Sequence, residues 1–157
     1  MKKYLALLAA AALASGLTQS CTAAPKDWVG KPLPALGVEY LGKAADVKGH
    51  VAIVEFWATW CPPCRKSIPH LNELNKKFKD KGLVVIGITD EDKNKVEQFR
   101  KGTPMEYNVA IDKDGKLSQQ FGITEIPQAF IVGKDGKIVW EGHPLELKEA
   151  TIEEALK

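Results

Sequence analysis

The chain has 157 residues, 45% of them hydrophobic and 27% charged, with three cysteines and a formal net charge of +2. That suffices for one domain with a real core and is too short for two ordinary ones. It excludes a disordered chain, a collagen-like repeat and a cysteine-dense scaffold. So slight a positive balance is a poor case for nucleic-acid binding, which usually shows as a clustered basic face.

The first residues depart from that average. Lys2 and Lys3 precede an alanine- and leucine-rich run over 5–14, and small and polar residues follow up to Ala24. This is the layout of an export signal, so residues 1–24 are expected to be a leader cleaved near 20–24, with the folded domain at 25–157. The apolar run falls short of the roughly 20 residues that span a bilayer. The leader holds two lysines and no acid, so the formal +2 belongs to it. Export would place the thiols where disulfides persist, in a periplasmic or other extracytoplasmic space. Ser20-Cys21 offers a lipoprotein-type cut and makes Cys21 a candidate lipid-attachment site, although Thr18 and Gln19 match that pattern weakly. Ordinary cleavage after Ser20, Ala23 or Ala24 is the alternative. A lipid at Cys21 would be the only expected tie to a membrane.

Past the leader, strands and helices alternate. Val51 to Trp57 is a nearly unbroken apolar run rich in β-branched and aromatic residues, as in a central strand covered on both faces. Pro62-Pro63 predicts a helix start, and Leu71, Leu74 and Phe78 continue one apolar face until Gly82 stops it. Pro69 falls inside this helix and is expected to kink it. Leu83 to Thr89 reads as a second buried strand. Asp92 or Asn94 caps a shorter helix carrying Val96 and Phe99. Val109 to Ile111 is a short strand, followed by a turn at 112–115 and a brief helix ending at Phe121-Gly122. Ala129–Val132 and Lys137–Glu141 flank an Asp-Gly turn and predict a hairpin. Leu147 to Leu156 predicts a closing amphipathic helix. The order is β-α-β, an inserted α-β-α portion, then β-β-α: an α/β domain with one mixed sheet and helices on both faces.

The chemistry sits at Trp60-Cys61-Pro62-Pro63-Cys64-Arg65. Two cysteines three apart, one at the mouth of a helix and the other a turn inside, close a disulfide with little rearrangement. The helix N-terminus favours the Cys61 thiolate, which makes Cys61 the nucleophile and Cys64 the resolving thiol. Zinc would need about four ligands, yet there is no second cysteine pair and His50, His70 and His143 lack metal-like spacing, so no metal is expected. Arg65 stands where covalent haem attachment requires histidine. A purely structural disulfide usually closes a longer loop. No cofactor is expected beyond the Cys61–Cys64 pair itself. Glu55, inside the apolar run, is costly to bury as an anion, so its pKa should be raised into the range where it exchanges a proton at neutral pH.

The stretch from Val54 to Cys64, with Pro69 beyond it, resembles the active-site strand and helix of the thioredoxin superfamily. It is most similar to the TlpA/ResA-like branch of exported, membrane-tethered thiol–disulfide oxidoreductases, several of which serve cytochrome c maturation. The similarity extends from about Val29 to the C-terminus. It takes in the lead-in from Gly30 to Pro34, the inserted segment after Thr89, and the words Gly122-Ile123-Thr124-Glu125-Ile126-Pro127. The resemblance implies a thioredoxin-like fold with its insertion after the second strand. It implies a cis-proline at Pro127, with the backbone of Ile126 pairing a substrate chain. It places Glu55 where a buried carboxylate acts as base for Cys64, through water, and makes Trp60 and Pro62 part of the substrate-facing rim. Ser67 stands where many relatives have an acid. Pro63 lacks an N–H that would solvate the Cys61 thiolate, which argues for a reductase or isomerase rather than a strong oxidant.

The expected function is therefore exchange of disulfides with proteins, in the reducing direction, by a monomer fed electrons by a membrane dithiol donor. Two other readings stand beside it. One is a thiol peroxidase of peroxiredoxin type, although Thr59 lies two positions before Cys61 and no proline leads that loop. The other is a non-catalytic thioredoxin-like module that holds client peptides or copper.

Overall fold

The computed structural model describes residues 27–157, so the leader and Cys21 lie outside the described residues. Six strands form one sheet: β1 (Glu39–Tyr40), β2 (Val51–Phe56), β3 (Leu83–Thr89), β4 (Asn108–Ile111), β5 (Gln128–Val132) and β6 (Ile138–Gly142), in the spatial order β1-β4-β3-β2-β5-β6. Four helices accompany it: α1 (Pro62–Phe78), α2 (Lys93–Gly102), α3 (Lys116–Phe121) and α4 (Glu149–Leu156). β2 pairs parallel with β3 and antiparallel with β5, which makes the sheet mixed.

All six residues of β2 are buried, as its unbroken apolar run requires. Val51 and Ile53 face a cluster built with Ile68, Leu71, Leu74 and Phe78 of α1, Val96 of α2 and Ile152 of α4. Ala52, Val54 and Phe56 face a second cluster with Leu117 and Phe121 of α3. Burying each large aliphatic side chain contributes about 2 kcal/mol. The lead-in also packs on this second face: Trp28 Nε1 donates to the Phe121 carbonyl at 2.8 Å, and Leu33 and Leu36 lie against the cluster.

The helix signals work as the residues suggest. Asp92 caps α2, its Oδ1 accepting from the Asn94 and Lys95 amides at 2.9 and 3.4 Å. Gly82 takes the left-handed conformation (φ 96°) that ends the turn after α1. α1 runs without a break through Pro69, whose ring sits on the exposed side. Gly136 (φ 78°) closes the tight turn between β5 and β6.

Besides one-residue shifts at the ends of β4, β5 and β6, the structure departs from the sequence expectation in one added strand and two element ends. β1 is a two-residue edge strand, pairing Glu39 with Ile111 and Tyr40 with Ala110, too short to leave a period in the sequence. The closing helix starts at Glu149, because Pro144–Glu146 forms a separate 3₁₀ turn and Leu147 is buried in the connection. Trp57 lies just past the end of β2.

The core holds one ionisable misfit. Glu55 is fully buried one residue before the end of β2, between Gly87 of β3 and Ala129 of β5. Burial pushes its pKa from the ordinary 4.5 up to about 8, against the lowering pull of a hydrogen bond from Ser67. Beside it, a Cβ on Gly87 would lie 3.0 Å from Trp57 Nε1 and 3.2 Å from a Tyr107 ring carbon, so these two rings occupy the space that any side chain at 87 would need.

Gly87→Ala is expected to cost about 1–3 kcal/mol in denaturant unfolding, because two packed rings must give way. Glu55 also makes stability depend on pH. Between pH 4.5 and 8 the folded protein holds a proton that the unfolded chain has released, so stability falls as pH rises through that window. Glu55→Gln buries no charge, and its stability relative to the wild type should climb across the window by up to about 5 kcal/mol. Unfolding curves for both proteins at either end of the window check this; a pH-independent difference would refute the buried acid.

Candidate dithiol site

β2 ends at Phe56, and after five intervening residues the chain enters α1 at Pro62. Cys61 is the N-cap of α1 in extended conformation, and Pro62 and Pro63 occupy the first two helical positions, where their missing N–H groups cost nothing. Cys64 N–H is therefore the first amide of the helix able to donate, and it donates to Cys61 Sγ at 3.2 Å. The two cysteines form a disulfide with Cα atoms 5.3 Å apart. Cys64 is fully enclosed and Cys61 nearly so.

The rim around Cys61 comes from three places. Trp60 is 63% exposed and stands beside the pair. The Ile126–Pro127 peptide is cis, Pro127 is buried, and the Ile126 carbonyl oxygen lies 3.7 Å from Cys61 Sγ. An open cleft of about 230 Å³ adjoins them, walled by Trp60, Ile88, Ile123 and Ile126, with Asp90 and Glu125 also lining it. Pro62 is exposed at the helix mouth.

Behind the pair, Ser67 Oγ lies 2.7 Å from Glu55 Oε1 and 2.8 Å from the Cys64 carbonyl oxygen. Glu55 is thus linked to the backbone of Cys64 through one hydroxyl. Tyr107, immediately ahead of β4, turns toward the same pocket: desolvation raises its pKa well above the ordinary value, and the charge of Glu55 adds to the rise.

Every sequence-predicted residue in the described range falls at this one end of the sheet: Cys61, Cys64, Glu55, Trp60, Pro62, Ile126 and Pro127. Two supports were not anticipated. Glu91 accepts from the Thr59 amide and from Thr59 Oγ1 at 2.8 Å, and pairs with Lys95 at 2.6 Å. Desolvation raises its pKa, but these partners together hold the carboxyl below its ordinary range. Arg65 Nε donates to the Thr59 carbonyl at 2.6 Å, and its guanidinium lies over Phe99. Thr59 is thereby held from both sides, which fixes the loop carrying Trp60. In the sequence Glu91 sits in an acidic run and reads as a solvated loop; its partner is 32 residues away.

The AhpC/TSA family model matches residues 30–141. Thiol-disulfide oxidoreductase ResA of Bacillus thuringiensis subsp. konkukian is 40% identical over 113 residues, which cover 71% of this chain and 65% of that relative. The chain therefore spans slightly less than two thirds of the length of that relative. A solved structure given as a thiol:disulfide interchange protein DsbE of Chlorobium tepidum is 30% identical, with a TM-score of 0.66 over 70% of this chain and 82% of the other. The thioredoxin domain of a thiol-disulfide oxidoreductase from Bacteroides vulgatus is 26% identical, with a TM-score of 0.71 over 82% of this chain and 98% of the other. The fold is thioredoxin-like, and with the family model matched over well more than half of its length, the chain belongs to the AhpC/TSA family.

Proposed function

We propose that this protein is a thiol–disulfide oxidoreductase that reduces disulfides in other proteins through Cys61 and Cys64. The observation that carries this reading is the placing of Cys61 at the mouth of α1, against the cis Ile126–Pro127 peptide and below an exposed tryptophan. The ResA and DsbE relatives support the reaction class.

In the reduced protein the α1 dipole and the Cys64 amide stabilise a Cys61 thiolate. That thiolate attacks one sulfur of a substrate disulfide; the other substrate sulfur leaves as a thiolate and takes a proton from water. Cys64 then gives its proton to the Glu55 carboxylate and attacks Cys61 Sγ. The mixed disulfide breaks, the second substrate sulfur leaves, and the Cys61–Cys64 disulfide remains, two electrons having passed to the substrate. A dithiol donor reverses the cycle. Its thiolate attacks Cys61 Sγ, Cys64 leaves as a thiolate and recovers its proton from Glu55, and the donor's second thiol resolves the mixed disulfide. The raised pKa of Glu55 suits the oxidised state, in which the carboxyl holds a proton ready for Cys64.

The substrate lies extended along the Ile126 backbone, with Trp60 and the adjoining cleft receiving an apolar neighbour of the target cysteine. The finer setting completes the proposal: an exported, monomeric protein with its leader at 1–24, held at a membrane if Cys21 is acylated, drawing electrons from a membrane dithiol protein and counting apocytochrome c among its clients. Among the described residues, no helix is long and apolar enough to cross a membrane.

Cys61→Ser should abolish insulin-disulfide reduction, and Cys64→Ser expressed in the native compartment should accumulate clients as mixed disulfides at Cys61, identified by mass spectrometry. Failure to trap any protein while Cys61 still reacts with small disulfides would sink the protein-reductase reading. Peroxide consumption far above that of a free thiol would favour the peroxidase instead. Release from a preformed mixed disulfide should accelerate as pH rises through about 8, where Glu55 ionises. Glu55→Gln should lose that inflection and slow release about 100-fold in stopped-flow single turnovers.

A further inference from the structure

Ser67 lies one turn beyond the dithiol in α1 and is fully buried. Its single hydroxyl hydrogen stands between two acceptors, Glu55 Oε1 at 2.7 Å and the Cys64 carbonyl oxygen at 2.8 Å. One hydrogen donates to one of them at a time. Both short contacts are satisfied together when Glu55 carries the proton: the carboxylic O–H donates to Ser67 Oγ, and Ser67 donates to the Cys64 carbonyl. Once Glu55 is ionised it has no hydrogen to give. The Ser67 hydrogen then turns to the carboxylate, the stronger acceptor, and the Cys64 carbonyl loses this bond.

We propose that Ser67 is a positioning residue that works as a hydrogen-bond switch, coupling the protonation of Glu55 to the backbone of Cys64. The functional weight of the switch rests on the oxidoreductase reading above; the switch itself does not. The surroundings leave Ser67 as the direct partner of the carboxyl. On β3 and β5 the neighbours of Glu55 are Gly87 and Ala129, which carry no polar side chain. Tyr107, ahead of β4, brings a hydroxyl into the same pocket without a hydrogen bond to Glu55 Oε2, and the charge of Arg100 on α2 bears on Tyr107. In the resting disulfide the switch holds Ser67 on Cys64. When Glu55 takes the proton of Cys64 during resolution, Ser67 returns from the carboxylate to the Cys64 carbonyl, so the helical turn bearing the resolving cysteine gains a bond as its thiol becomes part of the disulfide.

Infrared titration of the oxidised protein tests this without any substrate. The carboxyl band of Glu55 is assigned by its loss in Glu55→Gln, and the Cys64 carbonyl band is picked out among the ¹³C-carbonyl-cysteine bands by its further shift on ¹⁵N-arginine labelling, since Cys64 alone among the cysteines precedes an arginine. In the wild type, the Cys64 carbonyl band should shift with the same midpoint as the Glu55 band. In Ser67→Ala, the Glu55 midpoint should rise by about one pH unit, because the carboxylate has lost its donor, and the Cys64 band should cease to respond to pH. Ser67→Thr, which keeps the hydroxyl, should restore both. A wild-type Cys64 band insensitive to the Glu55 titration, or a Glu55 midpoint that does not rise in Ser67→Ala, overturns the switch. A wild-type protein that cannot reduce protein disulfides overturns the oxidoreductase reading alone, since these titrations read the resting protein.

Discussion

Everything at the dithiol end depends on the burial of β2 on both faces. A strand enclosed by α1, α2 and α4 on one side and α3 with the lead-in on the other is cut off from water, and Glu55 finds one hydrogen-bonding side chain there, Ser67. Glu55, placed at the register of Gly87 and Ala129, is desolvated for that reason alone. The same strand aims the chain at α1, so the apolar contacts of Leu71, Leu74 and Phe78 decide where the helix mouth, and with it Cys61, must lie. The antiparallel pairing of β5 then brings Pro127, the residue before that strand, to the end of β2 where the cysteines are.

The chemistry at the pair follows from which backbone groups the helix leaves free. Two prolines at its first positions remove two donors, so the amide of Cys64 is what meets Cys61 Sγ. On reduction, one amide and the helix dipole, rather than a full nest of N–H groups, would face the Cys61 sulfur, a mild arrangement in keeping with the reducing direction proposed above. On the far side a single hydroxyl, Ser67, stands between an acid of altered proton affinity and the Cys64 carbonyl. The two halves of the site, exposed and buried, meet at one helical turn.

Much of this was legible because the signals were local. The run at 51–56, the apolar face of α1, the cap at Asp92 and the Asp-Gly turn each lie within a few residues, and each formed near its expected place. The misses share a cause. β1 is two residues long and exists through its partner β4, and Leu147 leaves the helix because Pro144 starts a separate turn. Glu91 supports the Trp60 loop across 32 residues, a pairing that no window of sequence displays. In the sequence Ser67 is a small polar residue within a helix; its contacts with Glu55 and the Cys64 carbonyl emerge only when β2 and α1 are packed together.

The sequence by itself determined the members of the candidate site: a Cys-Pro-Pro-Cys word at a helix start, an acid inside an apolar strand and a proline before a later strand, because spacing and local propensity suffice to specify them. The tertiary structure decided their working state. It closed the Cys61–Cys64 disulfide at the end of a doubly covered strand, set Pro127 cis beside it, and pushed the Glu55 carboxyl to about 8 by removing water from around it. Proton affinity and hydrogen-bond partnership are properties of an environment, and that environment is assembled from segments far apart in the chain.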